Sequence, residues 1–186
     1  MVMLCFASCS SCKKEINALP EATQTGANTA GCLIDGQAWT PSPGGSGAPG
    51  SRPMGGGYIG VSINVPKNSV WLRMYKNNRT SMQFYVQSVN KPGRYPLSFD
   101  TSDDVGGSSD SKNFGLYAVD GAYINDPSYA YITTAVKTGY VNFTLTDTLT
   151  GSLAGTFEFD AIDAQSGKTI KITDGRFDIN TITLNK

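Results

Sequence analysis

The stretch that decides the fold lies near the C-terminus and runs Gly151-Ser-Leu-Ala-Gly-Thr-Phe-Glu-Phe-Asp-Ala-Ile-Asp-Ala-Gln-Ser-Gly-Lys-Thr-Ile-Lys-Ile-Thr-Asp-Gly-Arg-Phe-Asp-Ile179. Apolar and polar residues alternate from Phe157 to Ala161 and again from Ile170 to Thr173. This is the period of two expected of half-buried strands. Polar and small residues separate the runs, so we predict three short strands joined by two turns.

The dipeptide Asp174-Gly175 favours a two-residue type I′ hairpin turn, because both residue types tolerate a positive φ angle. Such a turn would place Ile172 opposite Phe177 on the apolar face and Lys171 opposite Asp178 on the polar face. The alternative is that Asp174-Gly175 forms a β-bulge within one longer strand.

The preceding pair of strands has its own predicted register. If residues 163–168 form a loop, Phe159 faces Ile172 and Asp160 lies beside Lys171. Opposite charges placed in this way contribute roughly 0.2–1 kcal/mol for each cross-strand pair. The apolar side chains then share one face and the charged ones the other.

Two segments carry a family resemblance: Ala154-Gly-Thr-Phe-Glu-Phe159 followed by Ile172-Thr-Asp-Gly-Arg-Phe-Asp-Ile179, and Leu19–Trp39 near the N-terminus. They resemble the C-terminal and N-terminal signatures of a family of bacterial lipoproteins typical of the Bacteroides group, catalogued as a domain of unknown function. Ala30 departs from the family pattern, in which an aromatic residue is usual. The resemblance implies an envelope lipoprotein with a β fold, and it implies no activity.

Composition argues against several functional classes. Fifteen basic and fifteen acidic residues give a formal net charge of zero, whereas nucleic-acid binders and binders of anionic membranes need a basic surface. The 186 residues include no histidine, so the chain cannot build a Ser-His-Asp or Cys-His unit or a histidine metal centre. We therefore expect no metal, no cofactor and no nucleic-acid partner.

The N-terminus is typical of the end of a secretory signal. Residues 1–12 are an apolar run that ends in small residues and cysteine, and we interpret them as a signal-peptide remnant with a lipobox that lacks its charged n-region. Cys9, after Phe6-Ala-Ser8, is the predicted acylated residue, and Cys12 is the alternative. The lipid would anchor the protein in the outer membrane, on the periplasmic or the cell-surface face, without a spanning helix.

The segment that follows divides into a tether and a domain. Residues 13–30 are polar and predict a tether, and residues 31–186 predict the folded domain. A redox or metal role for the pair Cys9-Ser-Ser-Cys12 is disfavoured, because no second cysteine pair and no histidine accompany it. Cys32 is expected to be a buried apolar side chain rather than a reactive thiol.

The rest of the chain alternates strand patterns with turn signals spaced roughly 8–12 residues apart. This predicts about ten strands in a single all-β antiparallel domain, either a two-sheet sandwich or a flattened barrel. A first hairpin is expected to turn at Asp35-Gly36, with Trp39 after it as a plug of the core or, alternatively, a ligand platform. The Pro-, Ser- and Gly-rich stretch 41–57 predicts a mobile surface loop, and Val61–Val65 predicts a strand.

Two loops carry weaker functional signals. An acidic loop at 100–113 is expected to be solvated, although its carboxylates could supply oxygens to Ca²⁺ without EF-hand spacing: Asp100, Asp103, Asp104 and Asp110. Asp147-Thr148-Leu149 resembles the short acceptor motif for O-linked glycan in secreted proteins of such bacteria.

Three functional hypotheses remain. Trp71, Tyr75 and Tyr85 alternate away from the main apolar stripes, so they form either a glycan or peptide platform or a second buried sheet face. Glu158 and Asp160 lie about 7 Å apart on one strand by strand geometry, which leaves a glycan-active enzyme with paired carboxylates as an alternative. A carrier of a small apolar ligand would need inward residues too small to fill a barrel, which the Phe, Leu and Met content disfavours.

These observations together predict a lipid-anchored cell-envelope protein. We expect a non-catalytic binding or structural module, not an enzyme, whose partner is a glycan or a protein.

Overall fold

The computed structural model describes residues 15–43, 52–59, 67–77, 79–98, 113–119 and 130–186. Within these residues eleven strands form one antiparallel sheet, followed by a short helix. The elements are β1 (Thr29–Ile34), β2 (Gln37–Trp39), β3 (Met54–Tyr58), β4 (Val70–Lys76), β5 (Thr80–Val86), β6 (Gly93–Leu97), β7 (Phe114–Ala118), β8 (Ala130–Ile132), β9 (Gly139–Asp147), β10 (Ser152–Asp163), β11 (Thr169–Asn180) and α1 (Thr181–Leu184).

The strands follow the order β2-β1-β11-β10-β8-β7-β5-β4-β3 across the sheet, and β9 with β6 forms a branch. The branch arises on β10, whose residues 152–159 pair with β9 while Ile162 and Asp163 pair with β8. The sheet curls into a half-barrel. The prediction of a single all-β antiparallel domain is confirmed, and the flattened barrel is the nearer of the two architectures, because one continuous sheet curls on itself.

Large side chains fill the concave side of the curl. Phe84 packs on Phe157 and Phe177 with ring centroids 5.5 and 5.4 Å away, and Phe143 packs on Phe177 at 5.6 Å. Phe177 is 3% exposed, and Leu72, Phe84, Phe143 and Phe157 are fully buried. Full burial of each such side chain contributes roughly 1.5–3 kcal/mol. The described inward residues therefore form a packed aromatic core.

Short contacts beyond the strand ladders tie the ends of the sheet together. Ser42, which follows β2, forms a parallel bridge with Lys76 at the end of β4, and its N–H donates to the carbonyl of Tyr75 at 2.9 Å. At the other edge Asn185, which follows α1, donates its side-chain amide to the carbonyl of Gly56 at 2.8 Å. The edge strands β2 and β3 are thus both secured to distant parts of the chain.

The predicted two-residue hairpin at Asp174-Gly175 is wrong, and the alternative of a bulge is correct. β11 continues through Asp174, which adopts a φ angle of 52°. Between the pairs Gly31–Arg176 and Leu33–Thr173, two residues of β11 oppose a single residue of β1, and the register with β10 shifts at the same place. A bulge and a hairpin both use a residue that tolerates positive φ, and here β1 and β10 flank β11, so a continuous strand keeps its backbone groups paired on both sides.

The predicted register of β10 and β11 is confirmed on the other side of the bulge. Phe159 pairs with Ile172, and Asp160 pairs with Lys171. The loop between the two strands occupies the predicted positions, 164–168 together with Asp163 at the end of β10.

The first hairpin is also confirmed. Asp35 and Gly36 connect β1 to β2 with φ angles of 48° and 84°. Trp39 is buried in the core, lies edge-on to Tyr117 at a centroid distance of 6.4 Å, and donates its indole N–H to Thr80 Oγ1 at 3.0 Å. The structure therefore places Trp39 as a core residue at this end of the sheet.

Cys32 is buried, as predicted, and it is a free thiol. Desolvation by burial raises its pKa to about 12, although the nearby charge of Lys76 acts in the opposite direction. A thiol with so high a pKa carries almost no thiolate at neutral pH, so it is chemically inert in the folded protein.

Part of the stretch 41–57, predicted as a mobile surface loop, is instead a strand. β3 pairs with β4 along its whole length, and its first residue, Met54, is buried. A Cβ atom on Gly56 would lie 2.0 Å from the carbonyl oxygen of Trp71, so glycine here permits a close approach of the backbones. The strand predicted at Val61–Val65 lies outside the described residues.

Residues 19–28, which we call the N-terminal strap, cross the outer face of β11. Leu19 is buried, and Arg176 donates from Nη1 to the carbonyl of Pro20 at 3.3 Å. The polar segment 13–30, predicted as a tether, is therefore attached to the domain at Glu15, whose carboxylate accepts the N–H of Ala38, and is packed on the sheet from residue 19 onward. The domain boundary predicted at residue 31 falls inside β1.

Asp178 fastens this strap. Because of the bulge, it does not face Lys171 as predicted, and its carboxylate accepts hydrogen bonds from Thr23 Oγ1 at 2.6 Å and from the N–H groups of Thr25 and Gly26, each at 2.8 Å. Burial raises the pKa of Asp178, but these hydrogen bonds outweigh the burial and hold the pKa below its ordinary value. A buried carboxylate is stable here because each of these donors compensates part of its lost hydration.

Candidate functional site

The three predicted platform residues lie on one face of the sheet. β4 and β5 pair Trp71 with Tyr85 and Tyr75 with Ser81, so Trp71, Tyr75 and Tyr85 all point to the outer side, opposite the aromatic core. Trp71 and Tyr85 are in edge-to-face contact with ring centroids 6.4 Å apart. We call this outer side of β4 and β5 the aromatic face.

Tyr85 contributes packing rather than open surface to the aromatic face. It is 4% exposed, because its ring is stacked on Phe114 at 5.8 Å and covered at its edge by Trp71. Its hydroxyl is buried without a hydrogen-bond partner among the residues that the structure describes. Tyr85 thus fits the alternative prediction of a second buried face, since it belongs to a buried apolar cluster of β5, β7 and β8 against which Trp71 packs. Of the predicted platform, only Trp71 and Tyr75 remain partly exposed.

Polar side chains that the sequence analysis did not single out join these rings. The indole N–H of Trp71 donates to Gln83 Oε1 at 3.2 Å, and Gln83 donates in turn to Ser81 Oγ at 3.4 Å. The guanidinium carbon of Arg73 lies 5.0 Å from the centre of the Trp71 ring, a cation–π arrangement. The signal was available, since Arg73 and Gln83 share the strand parity of the rings.

Arg73 also retains unused hydrogen-bonding capacity. Its Nε atom is buried and has no partner in the described part of the chain. An unpaired buried donor in a native structure calls for a physical explanation, such as an ordered water or ion, strain or a functional role. The aromatic face thus combines partly exposed rings with polar atoms whose hydrogen bonds are incomplete.

The paired carboxylates of the enzyme hypothesis lie elsewhere, on the outer side of β10. Glu158 and Asp160 both line a groove with a volume of about 270 Å³. They stand side by side on one strand and point the same way, whereas a glycosidase pair flanks the scissile bond. Glu158 is exposed to solvent, so the two groups are not enclosed in a cleft.

A larger groove, of about 380 Å³, lies between the N-terminal strap and the edge of the sheet. Its lining is mostly apolar and proline-rich, and it includes Leu19, Pro20, Pro41, Pro53 and Met54. No charged side chain lines it, and its polar lining side chains are Asn28, Thr29 and Thr40.

The glycan-acceptor motif lies in the turn between β9 and β10. Thr148 is exposed, and Asp147 accepts hydrogen bonds from the N–H of Leu149 at 2.8 Å and from the hydroxyl of Thr150 at 2.7 Å. The Thr150 hydroxyl, followed by the backbone N–H groups, lowers the pKa of Asp147. Asp147 therefore organises this turn, whether or not Thr148 is modified.

Several predicted features lie outside the described residues, namely the lipidation residue Cys9, its alternative Cys12 and the acidic loop at 100–113. Within the described ranges no cluster of three or more Cys, Asp or Glu side chains could hold a metal ion. No helix among them is both long and apolar enough to cross a membrane.

Comparison with family models, with curated proteins and with solved structures found no match for this chain. The resemblance noted at its two ends therefore stays a prediction.

Proposed function

We propose that this chain is a lipid-anchored, non-catalytic binding module of a bacterial cell envelope, and that its ligand is a glycan bound on the aromatic face. Flat rings cover the apolar faces of sugars at low entropic cost, and planar amide and guanidinium groups hydrogen-bond to their hydroxyls. The aromatic face supplies rings and a guanidinium group along β4, whereas the amide of Gln83 is buried and already bonded to Trp71 and Ser81.

The proposal rests mainly on a row of three side chains along β4, namely Trp71, Arg73 and Tyr75. All three side chains are partly exposed, and the buried Nε atom of Arg73 lacks a partner among the described residues. The row extends about 13 Å along β4 by strand geometry, which suits more than one sugar ring. The exposed parts of the two rings and of the Arg73 side chain would be used together by one ligand.

The proposed anchor constrains where this module works. If Cys9 is acylated, it lies six positions before Glu15, whose carboxylate accepts the N–H of Ala38 at 3.0 Å. Six residues span at most about 20 Å, whatever their conformation. Because the chain is fixed to the domain from this point, the proposed module would sit close to the membrane surface rather than at the end of a long tether.

Intrinsic fluorescence offers a direct test of glycan binding. The chain has two tryptophans, and Trp39 is buried, so in a Trp39→Phe background the emission reports Trp71 alone. We expect a saturable change in this emission when one class of soluble oligosaccharide is added from a panel that also includes peptides. Tyr75→Ala should weaken that response, and Arg79→Gln, at the exposed end of the β4–β5 hairpin, should leave it unchanged.

A folded protein whose Trp71 emission responds to no oligosaccharide would refute the glycan proposal and leave this face as a packing surface. A response to peptides alone would instead identify a protein partner. The anchor is tested separately by metabolic labelling with a fatty acid, which Cys9→Ser should abolish and Cys12→Ser should not. Labelling that survives both changes would refute the lipoprotein proposal.

A further inference from the structure

The groove beside Glu158 and Asp160 crosses four adjacent strands of the outer surface. Arg94 comes from β6, Tyr140 from β9, Glu158 and Asp160 from β10, and Lys171 from β11. We call it the polar groove. It lies on strands other than β4 and β5, which carry the aromatic face, and its volume of about 270 Å³ is below the usual range for drug-sized ligands, which points to a small molecule.

Two backbone features create this groove. The bulge in β11 inserts its extra residue opposite Glu158, and bulges often re-aim side chains beside functional sites. On the other side, β9 begins at Gly139, where a Cβ atom would lie 2.2 Å from the carbonyl oxygen of Glu158. The N–H of Asp160 in β10 donates to the carbonyl of Thr138, just before β9, at 3.1 Å. Further along β10, Ile162 and Asp163 pair with β8 instead.

Three of the lining groups lie side by side across neighbouring strands. The guanidinium carbon of Arg94 lies 3.5 Å from the centre of the Tyr140 ring. Tyr140 is the cross-strand neighbour of Glu158, and partial burial, followed by the charge of Glu158, raises the pKa of the Tyr140 hydroxyl. The hydroxyl therefore remains a donor at neutral pH, and Arg94, Tyr140 and Glu158 form an ordered row.

The charges of the groove are balanced but not paired. Across the strands they run positive at Arg94, negative at Glu158 and Asp160, and positive at Lys171. In the described part of the chain neither cation forms an ion pair with either carboxylate, although Asp160 and Lys171 are cross-strand partners. All four charges thus keep their capacity for a ligand.

This pattern selects one class of ligand. A simple anion would meet the two carboxylates, a simple cation would meet Arg94 and Lys171, and a neutral ligand would displace water from all four charges without compensating them. We propose that the polar groove binds a small zwitterion, a free amino acid, with its ammonium group toward Glu158 and Asp160. Its carboxylate would lie against Arg94, whose planar guanidinium is held by Tyr140 and can bind a carboxylate through two parallel hydrogen bonds.

The experiment is an NMR titration of the ¹⁵N-labelled full chain with L-alanine, and separately with acetate, methylammonium and glucose. We expect L-alanine to shift the amide signals of residues 138–140 and 171–173 saturably, and each half-ligand to bind at least about tenfold more weakly. Glu158→Gln and Arg94→Gln should each weaken L-alanine binding about tenfold or more. Lys168→Gln, a change of charge in the neighbouring exposed loop, should leave the affinity unchanged, and circular dichroism verifies that each variant is folded.

Three results would overturn the proposal. Acetate that binds as tightly as L-alanine would make the groove a simple anion site. Glucose that binds more tightly would assign it to neutral polar ligands. The absence of any shift in these amides at roughly 50 mM L-alanine, well above a millimolar dissociation constant, would show that the groove is only a solvated surface.

Discussion

Replacement of Asp178 by asparagine should loosen the N-terminal strap and destabilise the whole domain. The carboxylate of Asp178 accepts three short hydrogen bonds, from Thr23 Oγ1 at 2.6 Å and from the N–H groups of Thr25 and Gly26 at 2.8 Å. Asparagine keeps the shape of the side chain but removes the charge and turns one acceptor into a donor. Hydrogen-bond donors of the strap would then face the NH₂ group of the asparagine side chain, which is itself a donor.

The size of the effect follows from these bonds. A hydrogen bond to a charged group contributes roughly 1.5–3 kcal/mol, and a bond between neutral groups about 1 kcal/mol. The remaining amide oxygen can still accept one bond, and Thr25 is exposed, so its freed N–H can be hydrated. We therefore expect a loss of about 2–4 kcal/mol rather than the full sum, which at roughly 2–4 °C for each kcal/mol lowers the melting temperature by about 5–15 °C.

Thermal unfolding followed by circular dichroism measures the global effect, and amide hydrogen exchange at residues 21–28 measures the strap itself. Asp160→Asn is the matched control, because Asp160 lies on the same outer surface and loses at most a cross-strand interaction of about 1 kcal/mol. If Asp178→Asn melts like the wild type and its strap amides stay equally protected, Asp178 does not fasten the strap.

The pH dependence gives the same test a definite sign. The folded-state pKa of Asp178 is lowered, so the folded state favours the ionised carboxylate and its contribution is fully present above the unfolded-state pKa of about 3.9. The contribution is lost as the pH falls through the lowered folded-state pKa. The difference in unfolding free energy between wild type and Asp178→Asn should therefore be constant above about pH 5 and shrink below pH 4.

Three further predictions concern the core and the sheet. In a chain whose three N-terminal cysteines are replaced by serine, Cys32 should react with a thiol reagent only after unfolding, because burial raises its pKa to about 12; rapid labelling of the folded protein would contradict this. Gly155→Ala should cost about 3 kcal/mol in a denaturant titration, since its Cβ would lie 2.3 Å from a carbonyl oxygen of β9, whereas Gly55→Ala, with its nearest neighbour at 4.0 Å, should cost far less. Trp39→Phe should cost about 1 kcal/mol through the lost bond to Thr80, and an equal cost in a Thr80→Val background would show that the bond contributes nothing.

The sequence predicts the pairing of neighbouring strands well wherever the alternation of apolar residues and the residues of the turn indicate the same register. The pairs Phe159–Ile172 and Asp160–Lys171 were predictable because a one-residue slip would turn every apolar side chain to the wrong face. The hairpin at Asp35 and Gly36 was predictable because both residue types tolerate the positive φ angles that such a turn requires.

Asp174-Gly175 is a case in which local sequence does not determine the structure. The dipeptide specifies one residue with positive φ, and that requirement is met equally by a turn and by a bulge. The choice depends on whether β11 has neighbours on both sides, which is a long-range property, since β1 lies about 140 residues earlier in the chain. The local sequence pattern does not contain that information, so it is compatible with both a turn and a bulge.

The candidate sites were less predictable than the fold for the same reason. Strand parity correctly placed Trp71, Tyr75 and Tyr85 on one face, but the burial of Tyr85 depends on Phe114 of β7. The polar groove needs side chains from four strands, and only its two carboxylates drew notice in the sequence.

The packing of the curl explains why both proposed sites lie on its outer surface. Aromatic rings such as Phe84 and Phe157 fill the concave side, so in the described part of the chain a polar ligand has access only to outward positions. On that surface the bulge at Asp174 has two consequences at once. It keeps β11 continuous between β1 and β10, which brings Asp178 under the strap, and it displaces the backbone opposite Glu158, which opens the polar groove. A single residue with positive φ thus serves both the stability of the domain and the shape of its surface.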